Sequence, residues 1–144
     1  MVLNGPNLNR LGRREPGVYG ALSLRAIEER CERLGEELGV AIECAQSNHE
    51  GALVEALHRA EDEGFAGVAL NAGAYTHTSV ALHDAIRAID VPVVEVHISN
   101  VHAREPFRHT SRIAAACRGV VSGFGPTSYD LALRALAETN EEDA

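Results

Sequence analysis

A short apolar run that ends in a polar turn decides the fold of this chain: residues 65–73 read FAGVALNAG. Residues 91–97 repeat the pattern as VPVVEVH. Runs this short and this apolar, set between amphipathic segments, are typical of strands that are buried on both faces of a parallel sheet. We therefore expect buried strands at residues 65–70 and 91–96.

Helices are predicted around these strands, because apolar residues recur there at three- and four-residue steps. The segment Leu24 to Gly39 fits an amphipathic helix with Ser23 as its N-cap and Gly39 as its stop. Further elements follow from the same reasoning. Helices are expected at residues 50–63, 79–89 and 128–138, strands at 40–47 and 119–124, a loop with a short helix at 98–117, and a disordered acidic tail at 139–144.

The first strand is weakly marked, because only three residues precede a loop rich in Gly, Pro and Asn. A typical strand has about five residues. The alternation of strands and helices nevertheless requires a strand at this point. Five strands in this rhythm predict an α/β fold: a flavodoxin-like doubly wound domain with a five-stranded parallel sheet and helices on both faces. A length of 144 residues fits a single domain over residues 1–144.

Composition excludes several classes of protein. A net charge of −8 argues against general nucleic-acid binding. No apolar run approaches the roughly 20 residues of a membrane span, and we expect no signal peptide. Cys31, Cys44 and Cys117 are odd in number and widely spaced, which is typical of reduced thiols in a cytoplasmic protein.

The absence of lysine excludes two kinds of site, since all 13 basic side chains are arginine. A Schiff base requires a lysine, and so does a Walker-type phosphate loop. The glycines form no GxGxxG after a strand, which argues against a dinucleotide cofactor. Metal binding is the main rival explanation for seven histidines, but no HxH, HExxH or CxxC spacing supports it. We therefore expect neither a metal nor another cofactor.

The loop at residues 4–20 reads NGPNLNRLGRREPGVYG and carries three arginines against one glutamate. A tyrosine ionises near pH ~10, so that deprotonation at neutral pH costs about 4 kcal/mol. A neighbouring guanidinium lowers that cost. Because Arg14 lies five positions before Tyr19, the loop is predicted to be a mobile, cationic lid that carries a tyrosine base.

Polar side chains follow the predicted strands at their carboxyl ends. Asn7 follows the first strand, Asn71 and His77 follow the third, and His97 ends the fourth. The carboxyl ends of parallel strands share one edge of the sheet, where ligands bind. Strand alternation also puts Glu95 on the same side as His97, where its carboxylate can orient the ring. The sequence therefore predicts one convergent site.

Each of these residues also has a purely structural interpretation. Asn7 is typical of a turn after Gly-Pro, and His77 alone fits a structural histidine. Thr76, Thr78 or Ser79 is expected to cap the third helix. The four-residue spacing of Arg104, Arg108 and Arg112 predicts one helix face, either solvated or an anion clamp. The histidines taken as surface or structural residues are His49, His58, His83 and His109.

Three motifs together resemble the type II 3-dehydroquinate dehydratase family: NGPNLNRLGRREPGVYG, LNAGAYTHTSVALHDAI and VPVVEVHISNVHAREPFRHTS. The resemblance spans Asn4 to Glu138. It implies a reversible anti elimination of water from 3-dehydroquinate to 3-dehydroshikimate in the shikimate pathway, through an enolate and without metal or imine. The alternative interpretation is a non-catalytic flavodoxin-like module that binds a small molecule.

The same resemblance implies roles for individual residues. Tyr19 matches the proton acceptor at C2, His97 the proton donor, Arg14 the lid arginine that lowers the pKa of Tyr19, and Asn7 the enolate stabiliser. Trimers packed into a dodecamer are implied as well. The residues matched to substrate binding are Asn71, His77, Ile98, Ser99, Arg108 and, across a subunit contact, Asp84.

Overall fold

The computed structural model describes residues 1–13 and 22–142, and these ranges form one five-stranded parallel sheet with four α-helices. The predicted α/β architecture is confirmed. The strands are β1 (Val2–Asn4), β2 (Cys44–Gln46), β3 (Val68–Asn71), β4 (Val93–His97) and β5 (Gly119–Ser122). The helices are α1 (Leu24–Leu38), α2 (Glu50–Asp62), α3 (Val80–Arg87) and α4 (Thr127–Glu142).

The strand order is β2-β1-β3-β4-β5, and every neighbouring pair is parallel. After β2 the chain crosses back over β1 to form β3, so the direction of winding reverses between β1 and β3. Val2 pairs with Ala69 and Asn4 with Asn71, which aligns the carboxyl ends of these two strands. Doubly wound sheets bind ligands in the crevice at such a reversal.

Two apolar layers, one on each face of the sheet, stabilise this arrangement. Leu3 and Leu70 pack on one face against α2 and α3, while Val2 and Ala69 pack on the other against α1 and α4. Neighbouring residues of β1 and β3 thus enter opposite layers, as strand geometry requires. Burial on both faces explains why β1, a strand of only three residues, is stable at an interior position of the sheet.

The ends of several elements differ from those predicted. The helix cap at Ser23 is confirmed, because its Oγ accepts from the amide of Ala26 at 3.1 Å, and Gly39 ends α1 with φ of 73°. Ser79 likewise caps α3 through the amide of Leu82. The strand predicted at residues 40–47 is shorter, because β1 offers only three residues for pairing.

The prediction of a disordered tail from residue 139 is wrong at that boundary, because α4 continues to Glu142. The segment contains no Gly or Pro that would end a helix, and the Thr139 hydroxyl donates to the carbonyl oxygen of Ala135. Residues 143 and 144 lie outside the described ranges.

The single short helix predicted within residues 98–117 is replaced by three separate 3₁₀ turns: Val101–Ala103, Pro106–Arg108 and Ala114–Ala116. Arg104 has an extended backbone and Pro106 starts a new turn, so the chain cannot continue as one helix. The expectation that Arg104, Arg108 and Arg112 share one helix face is therefore wrong.

Candidate active site

A cavity of about 550 Å³ lies at the carboxyl ends of β1, β3 and β4, where the winding of the sheet reverses. It is lined by residues from the ends of β3 and β4, from the turn after β1, from the loop after β4 and from the first turn of the predicted lid. The structure therefore brings together most of the predicted site. The predicted residues that line the cavity are Asn7, Asn71, His77, His97, Ile98, Ser99 and Arg108.

Two glycines let the turns after β1 and β3 meet backbone to backbone. The amide of Gly5 donates to the carbonyl oxygen of Asn71 at 2.7 Å, and a Cβ at Gly5 would lie 2.5 Å from the carbonyl oxygen of Ala72. Gly73 has φ of 58°, and its Cβ would lie 3.0 Å from the carbonyl oxygen of Pro6. This close approach carries the loop after β1 over the end of β3.

Asn7 is a turn residue and also lines the cavity, so its structural and functional interpretations are compatible. Its φ of 69° makes it the one non-glycine residue with positive φ in the described ranges. Asn adopts this conformation more readily than most residues. The amide of Asn7 donates to Asn48 Oδ1 at 3.0 Å, which holds the turn. The Asn7 side chain has no hydrogen-bond partner in the described part of the chain and is available to a ligand.

His97 ends β4 and is held by a buried carboxylate. Its Nε2 lies 2.7 Å from Glu95 Oε2, and both side chains are less than 10% exposed. The predicted contact between Glu95 and His97 is confirmed. Because a carboxylate oxygen accepts, Nε2 carries a proton. Nδ1 makes no hydrogen bond within residues 1–13 and 22–142, so it is the ring nitrogen open to a ligand.

His77 stacks beside His97 with ring centroids 6.5 Å apart and ring planes 17° apart. Its Nδ1 lies 2.8 Å from the carbonyl oxygen of Thr110. A carbonyl oxygen only accepts, so Nδ1 carries the proton and Nε2 of His77 is left as an acceptor. His77 therefore has a structural hydrogen bond and also lines the cavity.

Asn71 is positioned by a buried tyrosine that the sequence did not reveal. Asn71 Nδ2 donates to the Tyr129 hydroxyl at 2.9 Å, and that hydroxyl donates to Asn4 Oδ1 at 2.6 Å. The second polar atom of Asn71, Oδ1, accepts from the amide of Gly73 at 3.2 Å. Burial raises the pKa of Tyr129 above its ordinary value, so that the hydroxyl stays protonated and can donate.

The loop after β4 contributes two arginines and a glutamate to the lining of the cavity. Arg108 and Arg104 line the cavity, whereas the Arg112 amide donates to the carbonyl oxygen of Thr76 and Arg112 does not line it. Glu105 lies between the two cavity arginines, 3.2 Å from Arg108 Nε. A hydrogen bond from its own backbone, together with Arg108, lowers the pKa of the Glu105 carboxyl. Arg108 is thereby held in place before a ligand arrives.

Ile98 and Ser99 add backbone donors beside His97. Their carbonyl oxygens accept from the Gly125 amide at 2.9 Å and from the Ser122 hydroxyl at 3.1 Å. Their amide N–H groups have no partner in the described ranges. Such N–H groups next to a cavity suit a carboxylate or another anion.

Three predicted residues are not placed in the cavity. Asp84 lies on α3, where its carboxylate is 3.2 Å from His83 Nδ1 and its side chain is 73% exposed. It does not line the cavity of its own chain. Arg14 and Tyr19 lie outside the described residues. The described start of the predicted lid contains a 3₁₀ turn at Leu8–Arg10, and Arg10 and Gly12 line the cavity.

No group of His, Cys, Asp and Glu in the described ranges could hold a metal ion, and none of the described helices is long and apolar enough to cross a membrane. The three cysteines are free, and burial raises the pKa of each thiol to about 12.

Known proteins resemble this chain over most of its length. The family described as Dehydroquinase class II matches residues 1–137. A protein named 3-dehydroquinate dehydratase from Rhizobium johnstonii is 69% identical over 135 residues, which cover 94% of this chain and 92% of the relative. One with the same name from Thermus thermophilus is 59% identical over 98% of this chain and 95% of its own length.

Solved structures agree with the sequence comparison. The type II dehydroquinase from Butyrivibrio crossotus superposes with a TM-score of 0.91 at 40% identity and covers 94% of each chain. The enzyme from Propionibacterium acnes gives a TM-score of 0.90 at 42% identity, over 95% of this chain and 94% of that chain.

Proposed function

This chain belongs to the class II dehydroquinase family, and we propose from that premise how its strand-end cavity works. The chain is a lyase of the 3-dehydroquinate dehydratase type, and the predicted resemblance is confirmed. The alternative of a non-catalytic binding module is not favoured. The observation that carries the proposal is His97, whose Nε2 is held by Glu95 while Nδ1 is left for the ligand.

We propose that His97 is the general acid of the elimination. When the ring is doubly protonated, Nε2 donates to Glu95 and Nδ1 donates to the departing C1 hydroxyl. The C1–O bond then breaks, and the hydroxyl leaves as water with the proton from Nδ1. Glu95 supports this role because its carboxylate compensates the charge of the imidazolium and fixes the direction of Nδ1.

The base in this proposal is Tyr19, activated by Arg14. The phenolate takes the proton from C2, and the electron pair of the C–H bond forms an enolate with the neighbouring ketone. Collapse of that enolate makes the C1–C2 double bond as the C1 hydroxyl departs. A guanidinium beside the phenol lowers the pKa of Tyr19 and so makes the phenolate available near neutral pH. No cofactor is required by this scheme.

Neutral and cationic groups around the cavity hold the substrate. We propose that the Asn7 amide, with a water, stabilises the enolate oxygen, since its side chain has no partner in the described chain. Arg108 and the amides of Ile98 and Ser99 suit the substrate carboxylate. Asn71 and His77 offer polar atoms to the substrate hydroxyls.

Assembly and location complete the proposal. Asp84 is exposed and does not line the cavity of its own chain, which supports a role in the cavity of a neighbouring subunit. We propose a dodecamer built from trimers, one domain over residues 1–144, and a cytoplasmic enzyme of the shikimate pathway that supplies chorismate and aromatic amino acids. Neither nucleic acid nor a membrane is required as a partner.

Absorbance spectroscopy tests the proposed function, because the conjugated enone of 3-dehydroshikimate absorbs in the ultraviolet and 3-dehydroquinate does not. The wild-type protein is expected to raise the absorbance. The His97→Asn variant is expected to lose about 10²- to 10⁴-fold in kcat, the usual contribution of a positioned acid. His58→Asn, on the exposed face of α2, is the control and keeps its turnover. A binding module would give no absorbance rise, and wild-type turnover in His97→Asn would contradict the acid role.

A further inference from the structure

We propose that Ser111 is a positioning residue for His97, acting through Glu95. The inference rests on the proposed function, in which His97 is the general acid. Ser111 Oγ donates to Glu95 Oε1 at 2.7 Å, while the other carboxylate oxygen, Oε2, lies 2.7 Å from His97 Nε2. A line of three side chains therefore runs from the loop after β4 to the acid.

The direction of this line is fixed by the backbone around Ser111. Its Oγ accepts from the amides of Ile113 at 3.3 Å and Ala114 at 3.0 Å. A hydroxyl has two lone pairs and one proton. With both lone pairs facing N–H donors, the proton is directed at Glu95 Oε1. Glu95 is then an acceptor on both oxygens, which keeps the proton of His97 on Nε2.

The hydrogen bond from Ser111 affects the His97 ring because Glu95 is buried. Glu95 is 2% exposed, so water cannot replace a missing donor. A buried carboxylate oxygen without a partner carries a full desolvation cost, which favours a rotation of the side chain. Such a rotation would remove the acceptor that holds the His97 ring.

The segment around Ser111 is tied to the neighbouring strand end as well. The carbonyl oxygen of Thr110 accepts from His77 Nδ1 at 2.8 Å, and the amide of Arg112 donates to the carbonyl oxygen of Thr76 at 2.7 Å. Residues 110–112 thus dock on the turn after β3, and Ser111 between them faces Glu95. These two contacts hold the backbone on either side of Ser111, which positions its hydroxyl against Glu95.

A matched pair of variants isolates the hydroxyl. Ser111→Thr keeps the hydroxyl and adds a methyl group, whereas Ser111→Val has nearly the same shape as the threonine variant but carries a methyl group in place of the hydroxyl. We expect Ser111→Val to lose about ten- to a hundred-fold in kcat, less than complete removal of a positioned acid. KM is expected to change little, because Ser111 does not line the cavity. Ser111→Thr is expected to retain most of the turnover.

Two further variants separate positioning from folding. Ser111→Ala removes the hydroxyl without added volume and serves if Ser111→Val fails to fold. Ser128→Ala is the control, because Ser128 is fully buried and its Oγ accepts from the Phe124 amide, yet it lies outside the cavity. Equal losses in Ser111→Ala and Ser128→Ala, or in Ser111→Thr and Ser111→Val, would overturn the inference.

The His97→Asn background distinguishes failure of this inference from failure of the proposed function. If Ser111 acts through His97, adding Ser111→Val to His97→Asn leaves the residual kcat unchanged, as coupled sites require. A further ten-fold loss of kcat in the double variant would overturn only the proposed action of Ser111 on His97 through Glu95. Wild-type turnover in His97→Asn would instead overturn the role of His97 as general acid, on which the positioning role of Ser111 depends.

Discussion

Replacing Tyr129 by phenylalanine removes one hydroxyl and leaves two buried amides without their shared partner. In the wild-type protein the hydroxyl donates to Asn4 Oδ1 at 2.6 Å and accepts from Asn71 Nδ2 at 2.9 Å. All three side chains are at most 5% exposed, so water cannot substitute for the hydroxyl. The ring itself remains, because phenylalanine fills nearly the same volume.

The expected loss follows from the two orphaned groups. A buried polar group that loses its partner costs about 1–3 kcal/mol. Asn4 cannot compensate by rotating its amide, because its Nδ2 already lacks a partner in the described structure. With two such groups, the Tyr129→Phe variant is therefore expected to lose about 2–6 kcal/mol of unfolding free energy. KM for 3-dehydroquinate is also expected to rise, because Asn71 loses the contact that orients it.

Urea unfolding at equal protomer concentration measures the loss, since association contributes to the stability of an oligomer. Tyr75→Phe is the matched control: the Tyr75 hydroxyl donates to the carbonyl oxygen of Asn48 at 2.8 Å in an exposed setting. That control is expected to lose less than about 1 kcal/mol. Equal midpoints for Tyr129→Phe and Tyr75→Phe would refute the buried network as a source of stability.

Two further predictions concern packing and pH. Gly5→Ala is expected to lower the free energy of unfolding by about 2–3 kcal/mol. The new Cβ would clash with a backbone carbonyl oxygen that cannot move without separating β1 from β3. Gly51 lies in α2, and no atom lies within 4 Å of the Cβ that an alanine would add there. Gly51→Ala is therefore expected to raise the free energy of unfolding by about 0.5–1 kcal/mol. Equal shifts of the melting temperature in Gly5→Ala and Gly51→Ala would contradict both expectations. Burial raises the pKa of the Cys31 thiol to about 12, so the folded chain keeps a proton that the unfolded chain loses above pH 9. The unfolding free energy should thus fall between pH 9 and 12 by up to about 1.4 kcal/mol per pH unit from this thiol. Burial raises the thiol pKa values of Cys44 and Cys117 to about 12 as well, so Cys31→Ala should show a smaller fall of the unfolding free energy over this pH range rather than none. Identical pH profiles of unfolding for the wild type and Cys31→Ala would disprove the prediction.

The strand ends were predictable because the geometry of a parallel sheet is regular. Apolar runs located β3 and β4, and alternation along β4 placed Glu95 beside His97. Parallel order then sends Asn7, Asn71 and His97 to one edge. None of these steps requires knowledge of how distant segments pack, so local patterns were sufficient.

The supporting network could not be predicted in the same way. Tyr129 is hydrogen-bonded to Asn4, 125 residues away in sequence, and to Asn71, 58 residues away. Local sequence periodicity cannot predict contacts between residues so far apart. Ser111 reaches Glu95 only because the loop after β4 breaks into separate turns around Pro106. A buried tyrosine near the start of the last helix indicates that some hydroxyl partner exists, but tertiary packing decides which one.

Turnover of 3-dehydroquinate by the Tyr19→Phe variant is the most direct test of the proposed site. Phenylalanine keeps the ring but cannot take the proton from C2. We expect kcat to fall by about 10²- to 10⁴-fold while calorimetry shows substrate binding retained, and we expect Tyr75→Phe to turn over like the wild type. Turnover close to the wild-type rate in Tyr19→Phe would contradict the assignment of the base and, with it, the proposed mechanism.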